Sequence, residues 1–187
     1  MWAYVTSGSV EELYTRPKAI TIGNKQYPQN IFELWTTNEL KSIGIYPVTI
    51  DNTNYKDATG YVNTEITYTV SGTEVTGAYG SATAKPLADT LFTAQDETDG
   101  LGTEGDVKSR GMKSVEKEKV NGTASSLLES TDWYSLRAAD GGTAVPSNIS
   151  TYRTAVRTKA NEHHAAINGA SDVDALMALT YDWPTAP

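Results

Sequence analysis

The chain contains no cysteine. That excludes disulfides, thiolate metal sites and a cysteine nucleophile, and it leaves the redox compartment open. Histidine is almost as scarce: there are two, His163 and His164. Neighbours on a helix point about 100° apart, so the pair cannot hold one metal ion in the usual way. The zinc pattern His-Glu-x-x-His is missing. His163 is therefore expected to be a packed, hydrogen-bonded core residue, and His164 to be exposed. No serine stands in a Gly-x-Ser-x-Gly elbow, and no Gly-rich phosphate loop or dinucleotide fingerprint occurs. Cations are outnumbered, with 15 Lys and Arg against 23 Asp and Glu, for a net charge of −8. A general nucleic-acid or anionic-membrane surface needs clustered Lys and Arg, so neither partner is expected. No apolar run approaches about 18 residues, the length of a spanning helix. The first residues, Met1-Trp2-Ala3-Tyr4, lack the basic region and apolar core of a signal peptide.

What is present is a chain of 187 residues, enough for one sizeable domain or two small ones. Thr, Ser, Gly and Tyr are plentiful and core-formers are modest in number, which fits a part stabilised inside a larger assembly. Residues 1–80 carry strand signals. Ala3–Val5, Val10–Tyr14, Ala19–Ile22, Lys25–Tyr27 and Ile45–Asp51 are short β-prone runs separated by turn residues. Thr37–Gly44 reads as one or two helical turns capped by Thr36 or Thr37, with Glu39 at the positive end. Tyr61–Val70 alternates, Ser71-Gly72-Thr73 turns, and Glu74–Tyr79 returns, the clearest hairpin in the chain. Exposed tyrosines on that hairpin would point to a glycan-binding or receptor-binding face.

Residues 81–106 are rich in Gly, Asp and Glu and read as an extended, solvated connector. A calcium loop starting at Asp96 fails on spacing, since Thr98 and Gly100 fall on ligand positions and no glutamate closes it. A glycosidase dyad needs an apolar shell to raise one carboxylate, and this stretch offers none.

From 107 onward the pattern is helical. Lys113–Leu128 forms one helix, with Lys113, Glu116, Lys117, Glu118 and Lys119 as a solvated face. Ser130-Thr131-Asp132 reads as a corner, because such side chains cap new helices. Trp133 would be the buried anchor of that corner, and Trp133–Ala139 a second short helix. Asp140-Gly141-Gly142 stops it. Ser147 or Asn148 caps a helix over about 149–167, with Tyr152, Val156, Ala160, His163 and Ile167 on one stripe. Ser171-Asp172-Val173-Asp174 has the form of a capping box for a last short helix. The fold class is α+β: a mostly antiparallel β module (1–80), an acidic Gly-rich linker (81–106) and a helical module (107–187).

The run Leu127-Leu128-x-x-Thr131-Asp132-Trp133, then Arg137, Val145-Pro146 and Tyr152-Arg153-x-x-Val156-Arg157 resembles bacteriophage tail fibre assembly proteins and phage tail assembly chaperones. The resemblance covers about residues 113–184, with Trp183-Pro184 also similar; the long acidic insertion departs from it. It implies a non-enzymatic protein of the tail or tail-fibre apparatus, located in the virion and assembled in the host cytoplasm. Its partners would be other phage tail or fibre proteins, with several copies in the assembly. The residues carrying partner binding or packing would be Thr131, Asp132, Trp133, Arg137, Tyr152, Arg153 and Arg157. Trp133 would fill a helix angle facing Tyr152 and Val156, and Arg153 and Arg157 would clamp Asp132 or a carboxylate of a partner. No catalytic, cofactor-binding or metal-ligating residue is expected, and no cofactor. A chaperone that leaves the finished particle, and a glycan-binding module, are the competing expectations.

Overall fold

A computed structural model describes all residues, Met1–Pro187. The chain is α+β and divides into two compact units, Met1–Thr83 and Ala84–Pro187.

In the first unit, β1 (Trp2–Thr6) and β2 (Ser9–Tyr14) form a hairpin closed by Ser7 and Gly8. Both turn residues have positive φ, 50° and 78°, which matches the twist of the flanking strands. β3 (Ile20–Ile22) and β4 (Lys25–Tyr27) make a small separate hairpin. Helix α1 (Ile31–Leu34) is followed by α2 (Thr37–Ser42). Thr36 caps α2 with a full capping box: its hydroxyl accepts from the Glu39 N–H, and the Glu39 carboxylate accepts from the Thr36 N–H. β5 (Ile45–Asp51) then pairs antiparallel with β1.

The Tyr61–Val70 run is interrupted. It gives β6 (Tyr61–Val62) and β7 (Ile66–Ser71). The Asn63 side chain bonds both backbone groups of Lys56, at 2.8 and 2.7 Å, and the Thr64 hydroxyl accepts from the Gly80 N–H at 2.7 Å. Those side-chain bonds draw the backbone out of a ladder. β7 pairs antiparallel with β8 (Glu74–Tyr79), across a two-residue turn in which Gly72 has φ +61°. β8 in turn pairs parallel with β5, an exception to the antiparallel pattern.

The resulting sheet has the order β2-β1-β5-β8-β7 and curls into a half-barrel. Ala3, Val5 and Val75 are buried on its inner face, with Val10, Leu13, Tyr46, Val48, Tyr68 and Val70 against them. Directly across the ladder from Tyr68 stands Gly77. A Cβ there would lie 2.7 Å from the Tyr68 ring, 2.8 Å from Ile66 and 2.9 Å from Ile50, so the glycine is the hole that the ring fills. A second cluster gathers Tyr14, Ile20, Ile31, Phe32, Leu40 and Ile45, with Trp2 and Trp35 beside it.

In the second unit the acidic stretch is not a bare connector. After the two-residue strand β9 (Thr83–Ala84) come β10 (Thr90–Leu91), helix α3 (Ala94–Thr98) and β11 (Val107–Ser109), which pairs with β10. Composition hid this, because the order comes from single capping contacts rather than from apolar periodicity. The Asp96 carboxylate bonds the N–H and hydroxyl of Thr93 and pairs with Lys108 at 2.6 Å.

Helix α4 (Met112–Ala139) starts at Gly111, which has no side chain to cap with. Asp89 does the job from 22 residues upstream, accepting from the Gly111 N–H at 2.6 Å and the Ser114 hydroxyl at 2.9 Å. The chain crosses closely there, since a Cβ on Gly111 would lie 2.3 Å from the Ala88 backbone.

The expected corner does not exist: α4 runs unbroken for 28 residues, about 42 Å, through Ser130-Thr131-Asp132. Gly141, with φ +82°, ends it. Helix α5 (Ser147–Gly169) begins one residue before Asn148, so Pro146 is the N-cap and Ser147 already lies inside the helix. Its stripe of Tyr152, Val156, Ala160, His163 and Ile167 is buried, as the spacing predicts. Helix α6 (Val173–Met177) is capped by Asp172, whose carboxylate accepts from the Ala175 N–H, rather than by Ser171. No helix is long and apolar enough to cross a membrane.

Candidate functional site

The residues singled out in the sequence lie where the C-terminal half of α4 runs beside the N-terminal half of α5. On an ideal helix, residues 120 and 131 fall about 20° apart, and residue 133 about 200° from 131. Val120 and Thr131 are the two buried residues of α4. Trp133 must then face away from α5, and it is 51% exposed. It does not fill a helix angle, and Tyr152 and Val156 do not face it.

Most of the motif builds one clasp. Arg153 of α5 is 8% exposed. Its guanidinium donates to the Thr131 hydroxyl at 2.7 Å and to the Leu128 carbonyl at 3.1 Å, and pairs with Asp132 at 2.8 Å. One helical residue earlier, the Tyr152 hydroxyl donates to the Leu127 carbonyl at 3.1 Å. Thr131 itself donates back to Leu128 at 2.8 Å. Thr131 and Asp132, two of the trio that mimics a cap, are thus used sideways, to hold a second helix. The buried cation has a carboxylate, a hydroxyl and a carbonyl around it, which is what makes its burial tolerable. Arg157 does not join: it is exposed and makes no ion pair with Asp132, since one turn further along α5 carries it past the carboxylate.

The outer face is a different surface. The Trp133 and Tyr134 rings lie 4.2 Å apart at an interplanar angle of 36°. The Arg137 guanidinium sits over both, 4.6 Å from the first centroid and 5.4 Å from the second. Gly142 folds back on the Arg137 stem, donating its N–H to the Arg137 carbonyl at 2.9 Å and leaving no room for a Cβ beside the Arg137 Cγ. Beside this stack Leu136 is 67% exposed. Tyr134 and Leu136 were not among the expected partner-binding residues. The helical angle from a correctly placed inner face would have found them, but that face was assigned to two short helices.

At the other end of the unit, His163 is buried, with its Nε2 2.9 Å from the Asp182 carbonyl and its ring edge-on to Tyr181 and Trp183. The Asp182 carboxylate pairs with Lys159 at 2.9 Å. Burial, with the Glu116 charge nearby, pushes the Tyr181 hydroxyl up to about 12. His164 is not the exposed residue expected: it is half-buried, and its Nε2 has no hydrogen-bond partner. In the first unit, Tyr61, Tyr68 and Tyr79 are each half-buried, so the β7–β8 hairpin does not present a row of bare rings.

What the site can do follows from its two sides. The clasp is internal and satisfied. The Trp133–Tyr134–Arg137 stack and Leu136 offer stacking area, an apolar side chain and a cation, the residue types that anchor protein interfaces. No protein-family model, no curated protein and no solved structure matches this chain.

Proposed function

We propose that the chain is a non-enzymatic bacteriophage tail or tail-fibre protein that stays in the virion as an adaptor, binding neighbouring phage proteins. The observation that carries this reading is the outer face of α4. A tryptophan 51% exposed and a leucine 67% exposed stand one turn apart on a helix whose opposite face is pinned to α5. Neighbouring apolar groups exposed on one helix face, beside a stacked cation, are of the kind that protein interfaces cover. The resemblance of the surrounding motif to phage tail-fibre assembly proteins supplies the context. The net charge of −8 keeps such a part soluble until it is incorporated.

The test is mass spectrometry of purified particles with copies per virion counted, alongside complementation by Trp133→Ala. Incorporation at a fixed symmetric copy number, lost in the variant although the variant folds, supports the adaptor. A protein abundant in infected cells and absent from particles is instead an assembly chaperone. Unchanged incorporation of the variant removes the outer face of α4 from the account.

A further inference from the structure

The two outer strands of the half-barrel, β2 and β7, close no ladder with each other. They come within 8 Å across a groove of about 630 Å³ lined by Gly8–Leu13 and Tyr68–Val70. A ladder needs about 4.8 Å between strands. The two edges are built very differently. β2 is guarded in the usual ways: it carries a bulge opposite Tyr4 and Val5, and Glu11 and Glu12 on its rim. β7 carries no guard in its own sequence. Its sequence, Ile-Thr-Tyr-Thr-Val-Ser, holds no charge, no proline and no glycine, and its burial alternates strictly. Regular, uncharged, β-prone edges of this kind recruit another strand, and folded proteins rarely leave them bare.

Alternation fixes which groups are on offer. The two-residue turn makes Ser71 and Glu74 a bonded pair, so Thr69 with Thr76 and Thr67 with Ala78 also bond across to β8. Ile66, Tyr68 and Val70 then turn their N–H and C=O groups to the free edge, while their side chains face the half-barrel interior. Val10 and Leu13 look into the same interior from the β2 side.

We propose that β7 is a strand-addition site that takes one extended segment of a partner protein, with alternate residues apolar and basic residues between them. The backbone of the segment bonds to Ile66, Tyr68 and Val70, and its apolar side chains complete the inner layer with Val10 and Leu13. Its basic residues meet Glu11 and Glu12 on the opposite rim. Glu12 already has Lys18 at 2.6 Å and the Tyr14 hydroxyl at 2.9 Å, and Glu11 accepts from Thr6 at 3.1 Å, so Glu11 is the carboxylate with no cation of its own. The sheet edge of a second folded copy is not the occupant, because β2 stands in its way. A strand lying between the two edges asks for about 9.6 Å, so the β1–β2 hairpin moves outward on binding by at least about 1.6 Å.

The probe is a synthetic peptide, acetyl-Lys-Val-Lys-Val-Thr-Val-Lys-Val-amide, added to the full chain, with amide exchange followed by NMR. Exchange at Ile66, Tyr68 and Val70 slows by at least about tenfold at saturation, while Thr67 and Thr69, already bonded to β8, change little. Glu11→Lys weakens binding of this peptide by about tenfold and leaves the exchange pattern of the free protein unchanged. Three results overturn the proposal: no protection at saturating peptide, protection already present in the free monomer because β2 closes the seam, or protection that rises with protein concentration alone because a second copy fills it.

Discussion

The two units hold themselves together with different materials. The first is built on rings and ladders: Trp2 lies 4.9 Å from Phe32, Tyr14 5.7 Å from Phe32, and Tyr27 5.8 Å from Trp35. The second packs Val120, Ala160 and Ile167 at one end of its helix pair and a hydrogen-bonded arginine at the other. Apolar packing is non-directional and tolerates some sliding. A guanidinium that must meet a hydroxyl, a carbonyl and a carboxylate tolerates none. The clasp fixes Thr131 of α4 against Arg153 of α5, and Trp133, about 200° around α4 from Thr131, points outward. The outward direction of the Trp133 ring in the second unit is in this sense tied to internal hydrogen bonding.

Substitutions can test that contrast. The largest effect is expected from Ile45→Ala, at a residue with no exposed surface in the ring-lined core of the first unit. Loss of its methyl groups and the cavity left behind should cost about 3 to 4 kcal/mol, read by denaturant unfolding and by faster amide exchange within residues 1–83. Arg153→Met should cost about 2 to 3 kcal/mol, because it keeps the volume but strips the clasp of its donors. Its decisive readout is the assigned NMR indole N–H resonance of Trp133, one of four tryptophans: if the clasp sets register, that resonance shifts as the ring leaves the Arg137 guanidinium. An unchanged spectrum would mean that apolar packing alone aligns the helices. Thr36→Ala removes the capping hydroxyl of α2 and should cost about 1 kcal/mol, with thermal unfolding as the check.

Acid should erode the second unit through its caps. Asp96 is held down to about 2 by Lys108 and by Thr93, and Asp89 and Asp172 are lowered by the backbone N–H groups they accept from. A depressed carboxylate contributes fully above its ordinary value near 4 and loses that contribution as pH falls toward its folded value. Circular dichroism between pH 5 and pH 2 should therefore show progressive helix loss, and Asp89→Asn should flatten the profile at its α4 end. Trp133→Ala sits at the bottom of the stability scale, within about 0.5 kcal/mol of the parent, because its ring is already half in water. A large destabilisation there would show that the outer face is structural after all.

Much of the first unit was legible in the residues. Period-two alternation and turn glycines marked β1, β2, β7 and β8, and Thr36 with Glu39 announced α2. The parallel pairing of β5 with β8 was not, since nothing local distinguishes a parallel neighbour. In the second unit the α5 stripe was legible because five apolar or packed residues keep helical spacing. The corner was misread for a physical reason: Ser, Thr and Asp bond equally well to a helix start and to a neighbouring helix, and only the position of Arg153 decides between them. Size alone argues for Trp133 inside, whereas the angle from Val120 and Thr131 puts it outside. Of the expected motif, Thr131, Asp132, Tyr152 and Arg153 come together, Trp133 and Arg137 form a separate outer stack, and Arg157 joins neither.

Gly77 ties the inheritance of two positions together. Because the Tyr68 ring occupies the space a side chain at 77 would need, neither position can drift alone. A lineage that gains Ala at 77 must make room at residue 68 and also at Ile66 and Ile50, which crowd the same point, and a lineage that replaces Tyr68 by a small residue leaves a void that a larger residue at 77 helps to fill. Divergence of the half-barrel should therefore appear as paired exchange across one rung of the ladder, conserving volume while both identities change.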